Sequence, residues 1–321
     1  MNSLRLIALQ ARYLASRGRR RRELAERSDR NEAPISVLFY HRVADTFPNA
    51  WTINRKGFRQ HLDYFQSQFE IISLHEAHRR LSLGISPRPA VAITFDDGYA
   101  ENLDYALPLL IEREIPATYF VATRPIETGG PFEHDHRNGQ PLKVHSIDEI
   151  RRIAKSGIEI GGHTANHVDF DRVTTQAEMD DEVIHSKGAL EAMIDRPIRF
   201  FSVPTGLLPQ MRPAVFEASK RAGYDAICSA YGAYNLIGQN PFHIKRIHGD
   251  PGFIRLRNWL TFDARKVANE PALWNTDVLT EDNVLPDEVP SQTPRSATQR
   301  STNQPPTNQP TGPSRGEEIL A

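Results

Sequence analysis

Seven short apolar runs, alternating with stretches of helical spacing, constrain the fold of this chain more than any other feature. The runs cover residues 35–40, 90–95, 117–122, 158–161, 199–203, 225–229 and 243–247. Between them, residues 56–69 place Phe58, Leu62, Phe65 and Phe69 three or four apart, and residues 103–113 do the same with Leu103, Leu107, Leu110 and Ile111. Residues 146–155 open with Ser146-Ile147-Asp148-Glu149, a capping-box pattern, and further helices are predicted over 176–194, 213–222 and 251–260. Such alternation is that of β-α units around a parallel sheet or barrel. About seven parallel strands in one α/β domain predict an irregular (β/α) barrel, whose chemistry sits at the C-terminal ends of the strands.

Composition sets the domain limits. Of 321 residues, those from 276 to 321 lose all apolar periodicity and repeat Thr302-Asn303-Gln304-Pro305 as Thr307-Asn308-Gln309-Pro310, so a disordered low-complexity tail is expected there. At the other end, residues 1–33 form a basic arm: the first thirty hold nine arginines against three acids. The remaining domain, 34–275, is therefore net acidic although the whole chain carries −1, and nucleic acid is not an expected partner. The arm has a short apolar stretch from Leu4 to Leu9, broken by Arg5, and no small-residue cleavage site follows, so it does not read as a secretory signal. It is expected to be a frayed, solvated segment; as an amphipathic helix it would instead rest on anionic lipid. With no run of 18 apolar residues the chain is not expected to span a membrane, and its single cysteine, Cys228, requires no oxidising compartment. The expected location is the cytoplasm, with peripheral membrane contact through the arm.

Two motifs carry chemistry. Thr94-Phe95-Asp96-Asp97-Gly98-Tyr99 follows a strand candidate, and two adjacent carboxylates there repel each other unless a cation or a shared proton intervenes. Asp-Asp-Gly is also good turn chemistry, so this motif alone is ambiguous. The second motif, His163-Thr164-Ala165-Asn166-His167, follows Gly161 and Gly162 at the end of another strand candidate. If it forms one helical turn, both imidazoles face the same side, as a shared metal requires. Two imidazoles and one carboxylate make a metal-binding face with open positions for water and substrate.

Together these motifs resemble the first two signatures of the polysaccharide deacetylases, the NodB-homology group of carbohydrate esterases. The resemblance covers about residues 34–250 and implies that Asp97, His163 and His167 hold a divalent metal while Asp96 is the catalytic base. Phe39-Tyr40-His41-Arg42-Val43 is similar to an opening found in one branch of the family, which implies that His41 is the general acid. His248, where a late-strand histidine of the family would lie, competes for that role. The family's third motif is met only in part by Ser202-Val203-Pro204-Thr205-Gly206, since Pro204 and Gly206 match while the arginine or tyrosine and the aromatic do not. Arg246 is a candidate to replace that arginine beside Asp96, and the family's Asp-Trp motif has no counterpart here. On this reading Tyr99, Pro204, Thr205, Gly206 and Trp51 border the substrate, with Trp51 as a sugar-stacking platform.

A divalent ion in this setting polarises an acetamide carbonyl and makes water acidic enough to attack near neutral pH. The expected activity is therefore metal-dependent N-deacetylation of an N-acetylhexosamine-containing polysaccharide, oligosaccharide or glycan precursor. Zinc is the first expectation for the metal, with cobalt, nickel and iron also suited to the ligands. Alternatives of different class are a catalytically impaired glycan-binding relative, an amidase acting on a small non-sugar amide, and an iron oxygenase. His134-Asp135-His136 is expected to lie in a solvated loop, and a second metal site there is the lesser reading.

Overall fold

All six residues of β1 (Ile35–Tyr40) and all six of β5 (Ala90–Phe95) are buried, which only a strand covered on both faces achieves. The computed structural model describes residues 3–249, 252–263 and 285. Short strands β2 (Arg42–Val43) and β3 (Thr52–Ile53) pair with each other, and β4 (Glu70–Ile71) pairs with β5. The principal sheet continues through β6 (Ala117–Val121), β7 (Glu159–Gly162), β8 (Phe200–Ser202), β9 (Ala226–Cys228), β10 (His243–Ile244) and β11 (Arg246–His248). Its order is β10-β9-β8-β7-β6-β5-β1-β11, parallel throughout.

The two strands at the ends of this path are consecutive pieces of one chain passage, separated by Lys245. The predicted single strand 243–247 is thus two strands, β10 on β9 and β11 on β1, and their junction nearly closes the ring. Asn235 fills the seam: its side chain accepts from Lys245 N and donates to Lys245 O, both at 2.8 Å, while its backbone exchanges hydrogen bonds with Ile35. The architecture is the irregular (β/α) barrel that the sequence predicts.

Strand alternation separates an outer from an inner set of side chains. Leu38, Val91, Ile93, Tyr119, Val121, Ile160 and Ile227 face the helices in the main core. Ile35, Val37, Ala90, Ala92, Phe120, Phe200, Ala226, Cys228 and Ile244 form the barrel interior, against which α3 (Leu74–Leu83) packs Leu74, Ala77 and Leu81. Gly161 stands in register with Phe120, and a Cβ there would lie 2.3 Å from its ring. Its lack of a side chain makes room for an interior aromatic, and not for a turn.

The outer layer contains α2 (Arg55–Gln68), α4 (Ala106–Glu112), α5 (Thr123–Thr128), α6 (Glu133–Arg137), α7 (Ile147–Lys155), α8 (Gln176–Asp180), α9 (Ser186–Ile194), α10 (Pro213–Arg221) and α11 (Phe253–Leu260). The capping box of α7 forms as predicted, with Ser146 and Glu149 bonding each other's backbone. The predicted helix over 176–194 is interrupted by a π turn at Asp181–His185.

The arm is not frayed. Residues Ser3–Asp29 form helix α1, buried through Tyr13 and Arg20 and fastened to α11 and the residues after it. Arg20 donates to Asn258 O at 2.6 Å, and Arg12 pairs with Asp263 at 2.6 Å. These partners lie some 240 residues away in sequence, where no local pattern points to them. The predicted tail, 276–321, lies outside the described residues except for Leu285.

Candidate active site

Interior parity carries polar groups to the C-terminal end of the barrel. The series 35, 37, 39 leads to His41; 90, 92, 94 to Asp96; 161 to His163; 200 to Ser202; and 244 to Arg246 and His248. Asp97 has the opposite parity, and its positive φ of 74° turns the chain so that its carboxylate joins the group. Thr164, His167 and Thr205 also have positive φ, at 67°, 58° and 61°, so uncommon backbone conformations concentrate around this site.

Asp97 Oδ1 lies 3.4 Å from His163 Nε2 and 3.2 Å from His167 Nε2. The three ligand atoms fall within 4.8 Å of one another, the one such cluster among the described residues. The segment 163–167 does not form the helical turn expected from its spacing. Thr164 takes a left-handed conformation, its hydroxyl accepts from His167 N at 2.8 Å, and this tight loop folds the second imidazole back onto the first.

A buried carboxylate on the π turn fixes that loop. Glu182 Oε2 accepts from Ala165 N at 3.0 Å and Asn166 N at 2.9 Å, and Oε1 accepts from Asn166 Nδ2 at 2.6 Å. Sequence reasoning missed Glu182, which has no motif; its only signal is an acid within a helix that the turn redirects inward.

The donor set fits a divalent cation. His163 Nδ1 stands 2.7 Å from Ser202 O, and a carbonyl only accepts, so the ring proton sits on Nδ1 and the Nε2 lone pair faces Asp97. Asp97 Oδ1 is buried and has no hydrogen-bond partner among the described residues. Burial works against the charge of Asp97, yet the positive charge that His163 and His167 carry when protonated outweighs it and holds the carboxyl well below the usual range.

Asp96 belongs to a separate network. Arg246 Nη1 donates to its Oδ1 at 2.7 Å and Nη2 to its Oδ2 at 2.9 Å, a bidentate pair with both side chains almost fully buried. Arg246 also donates to Thr94 Oγ1, Ser202 Oγ and Ser229 O, and its guanidinium lies near the rings of Phe39 and Phe120. Burial pushes Asp96 up, but Arg246 and then His163 oppose it, and the net displacement is downward. The residue missing from the third motif is thus replaced from another strand, as the sequence position of Arg246 suggested.

The rings of His41 and His248 both lie near that of Trp51, at separations of 4.9 and 5.9 Å. Trp51 is 49% exposed. Its loop is fixed by Arg42, which is fully buried, donates to Thr46 O at 2.7 Å and pairs with Glu101. His41 Nδ1 is buried and lacks a hydrogen-bond partner among the described residues. Burial lowers its pKa, while Asp97 and Asp96 pull it the other way.

An open cleft of about 620 Å³ runs from His167 and Thr205 past His134, Asn166 and Arg172. Pro204 and Gly206 are buried and shape the turn that presents Thr205; a Cβ on Gly206 would lie 2.9 Å from Ala230 N. Tyr99 does not present its side chain to substrate, being buried with its hydroxyl donating to Asp135 at 2.8 Å. The stretch around His134 is not a solvated loop either: α6 buries Asp135, and the His134 ring lies 5.4 Å from that of His167.

The fold and this polar centre match one protein class. Residues 84–227 match the polysaccharide deacetylase family. YxkH of Bacillus subtilis, named for that family, is 25% identical over 222 residues, spanning 68% of this chain and 73% of its own. A peptidoglycan-N-acetylglucosamine deacetylase of Bacillus cereus is 28% identical over 138 residues, 43% of this chain and 54% of that protein. Among solved structures, the Streptococcus pyogenes deacetylase PplD in complex with acetate superposes with a TM-score of 0.60 at 20% identity, covering 70% of this chain and 98% of PplD. IcaB from Ammonifex degensii gives 0.59 at 23% identity, over 71% and 97%. Residues 84–227 thus form a polysaccharide deacetylase family segment, and the similarity to YxkH extends that likeness over 68% of the chain.

Proposed function

We propose that the protein is a metal-dependent N-deacetylase acting on an N-acetylhexosamine-containing polysaccharide, oligosaccharide or glycan precursor. The observation that carries this reading is the pairing of a three-ligand cluster, Asp97, His163 and His167, with an ionised neighbour, Asp96, that Arg246 keeps outside the ligand set. The named activity of the Bacillus cereus relative, a peptidoglycan-N-acetylglucosamine deacetylase, supports an N-acetylated sugar as substrate.

Asp97, His163 and His167 would hold the metal, with zinc first among cobalt, nickel and iron as suited to two imidazoles and a carboxylate. When bound, a divalent ion polarises the acetamide carbonyl and acidifies water. Asp96 accepts the proton of the attacking water, because Arg246 keeps its carboxylate charged in a buried setting. The backbone N–H of Tyr99 is the candidate donor to the oxyanion. His41 donates a proton to the departing nitrogen, which leaves as an amine and not as a far less stable amide anion. His41 is preferred over His248 because the charges of Asp97 and Asp96 favour its protonated form, against the larger downward pull of burial. Trp51, beside both histidines and half exposed, offers an apolar face to a sugar ring.

Acetate release from acetylated chitooligosaccharides tests the reading. Asp96→Asn is expected to retain metal and lose most turnover, His163→Ala to lose metal and turnover together, and His41→Asn to cost more than His248→Asn. A metal-loaded wild-type protein that releases no acetate from any N-acetylated glycan would overturn it in favour of a glycan-binding relative.

A further inference from the structure

Helix α1 meets the domain along one side only. Tyr13 and Arg20 are buried there, Leu24 packs on the core, and Arg12 and Arg20 approach Asp263 at 2.6 and 3.8 Å. Positions 4, 7, 11, 14 and 18 fall on the opposite side at alternating spacings of three and four, and they carry Leu4, Ile7, Ala11, Leu14 and Gly18. Leu4, Ile7 and Leu14 are 74%, 65% and 49% exposed. Exposed apolar side chains arranged as a stripe on a helix differ from scattered ones, because they can enter one apolar phase together.

The charge around the stripe is of one sign. Between Ser3 and Arg22 there is no acidic residue, and Arg17, Arg19, Arg21 and Arg22 are exposed without an ion-pair partner among the described residues. Beside them a cavity of about 190 Å³ opens between α1 and α2, lined by Tyr13, Arg17, Arg20, Arg21, Tyr64 and Gln68. Guanidinium and phenol groups around a small hollow suit a phosphate-bearing headgroup. A second copy of α1 is a poor occupant for the stripe, since pairing would set unscreened arginines against arginines with no acid to compensate.

We propose that α1 seats the protein on an anionic bilayer surface, with Leu4, Ile7 and Leu14 in the headgroup boundary and the free arginines on lipid phosphates. Among the described residues no helix is long and apolar enough to cross a membrane, so the contact is lateral. Seating on a bilayer does not depend on which reaction the barrel performs.

The test is cosedimentation of the full chain with phosphatidylcholine vesicles with and without phosphatidylglycerol. Binding is expected only to the anionic vesicles, weakening as salt rises. Arg19→Ala/Arg22→Ala should lower the partition roughly 30-fold, and Leu4→Ser/Ile7→Ser about tenfold or more, with melting temperature unchanged in both because neither pair lines the docked side. Equal binding to both vesicle types, or none to either, would overturn the proposal. So would self-association in sedimentation velocity, without vesicles, that Leu4→Ser/Ile7→Ser abolishes.

Discussion

Arg246 and Asp96 show how much of the site rests on single contacts. The guanidinium is fully buried between aromatic rings, and its charge is balanced by one carboxylate. Removing one partner of such a pair leaves an uncompensated buried charge, typically costing about 3–5 kcal/mol. Arg246→Met is therefore expected to lower stability by that order in urea titrations and to abolish turnover, while metal bound per chain stays near that of the wild type. Gly161→Ala is predicted to destabilise for a different reason, overlap with the Phe120 ring. Phe120→Leu in the same chain should restore part of the loss, measured as the coupling in a double-mutant cycle. At this scale the pairing of His163 with His167 was legible from their four-residue spacing, and the choice of Asp97 over Asp96 as candidate ligand only from the family resemblance. Glu182, Arg42 and the carbonyl of Ser202 were not, since each works through a contact made only when distant segments fold together.

Among the elements, the interrupted helix α8–α9 has the clearest consequence. Its π turn brings Glu182 to the loop between His163 and His167, and π turns are often found at functional positions. Glu182→Ala leaves the amides of Ala165 and Asn166 without their acceptor. The expected result is a 10–100-fold weaker metal affinity, read by competition with a chromophoric chelator, together with a stability loss of about 1–3 kcal/mol. Glu182→Gln, which keeps one carbonyl acceptor, should recover part of both. Most strands and helices α2, α4, α7 and α10 were predictable from apolar spacing, whereas α1, the longest helix, was expected to be a frayed arm and α3 was not foreseen. The short pieces α5 and α6 and strands β2–β4 were not predictable either, because an element of two to six residues carries too little periodicity to separate from a loop. The split of the last strand was hidden for a further reason, as nothing local distinguishes Lys245 from a residue inside a continuous strand.

For the molecule as a whole, the three histidines most strongly shifted by burial, all outside the Asp97–His163–His167 cluster, contribute most to the acid limit. Burial pushes the imidazoles of His61 and His145 down to about 4 and that of His243 to about 3. The unfolded chain holds them near 6.5, so below that pH it binds protons the native state excludes. Stability is then complete above about pH 6.5 and falls on acidification, with a slope of up to about 4 kcal/mol per pH unit from the three groups together. Urea midpoints measured between pH 7 and 5 should decline accordingly, and His61→Phe should flatten the slope by about a third. A midpoint independent of pH over this interval would contradict the buried, neutral assignment.

The seam at Lys245 links completion of the barrel to competence. The passage 243–248 supplies the last pairings of the ring and also brings Arg246 and His248 to groups that begin with His41. A ribosome releasing this chain exposes His41, Asp96 and His167 long before it delivers the cation that keeps Asp96 ionised. On the proposed function, the nascent protein is therefore expected to be inert until more than two hundred residues past His41 have emerged, and a chain truncated before residue 243 would carry Asp97, His163 and His167 yet is predicted to perform no hydrolysis.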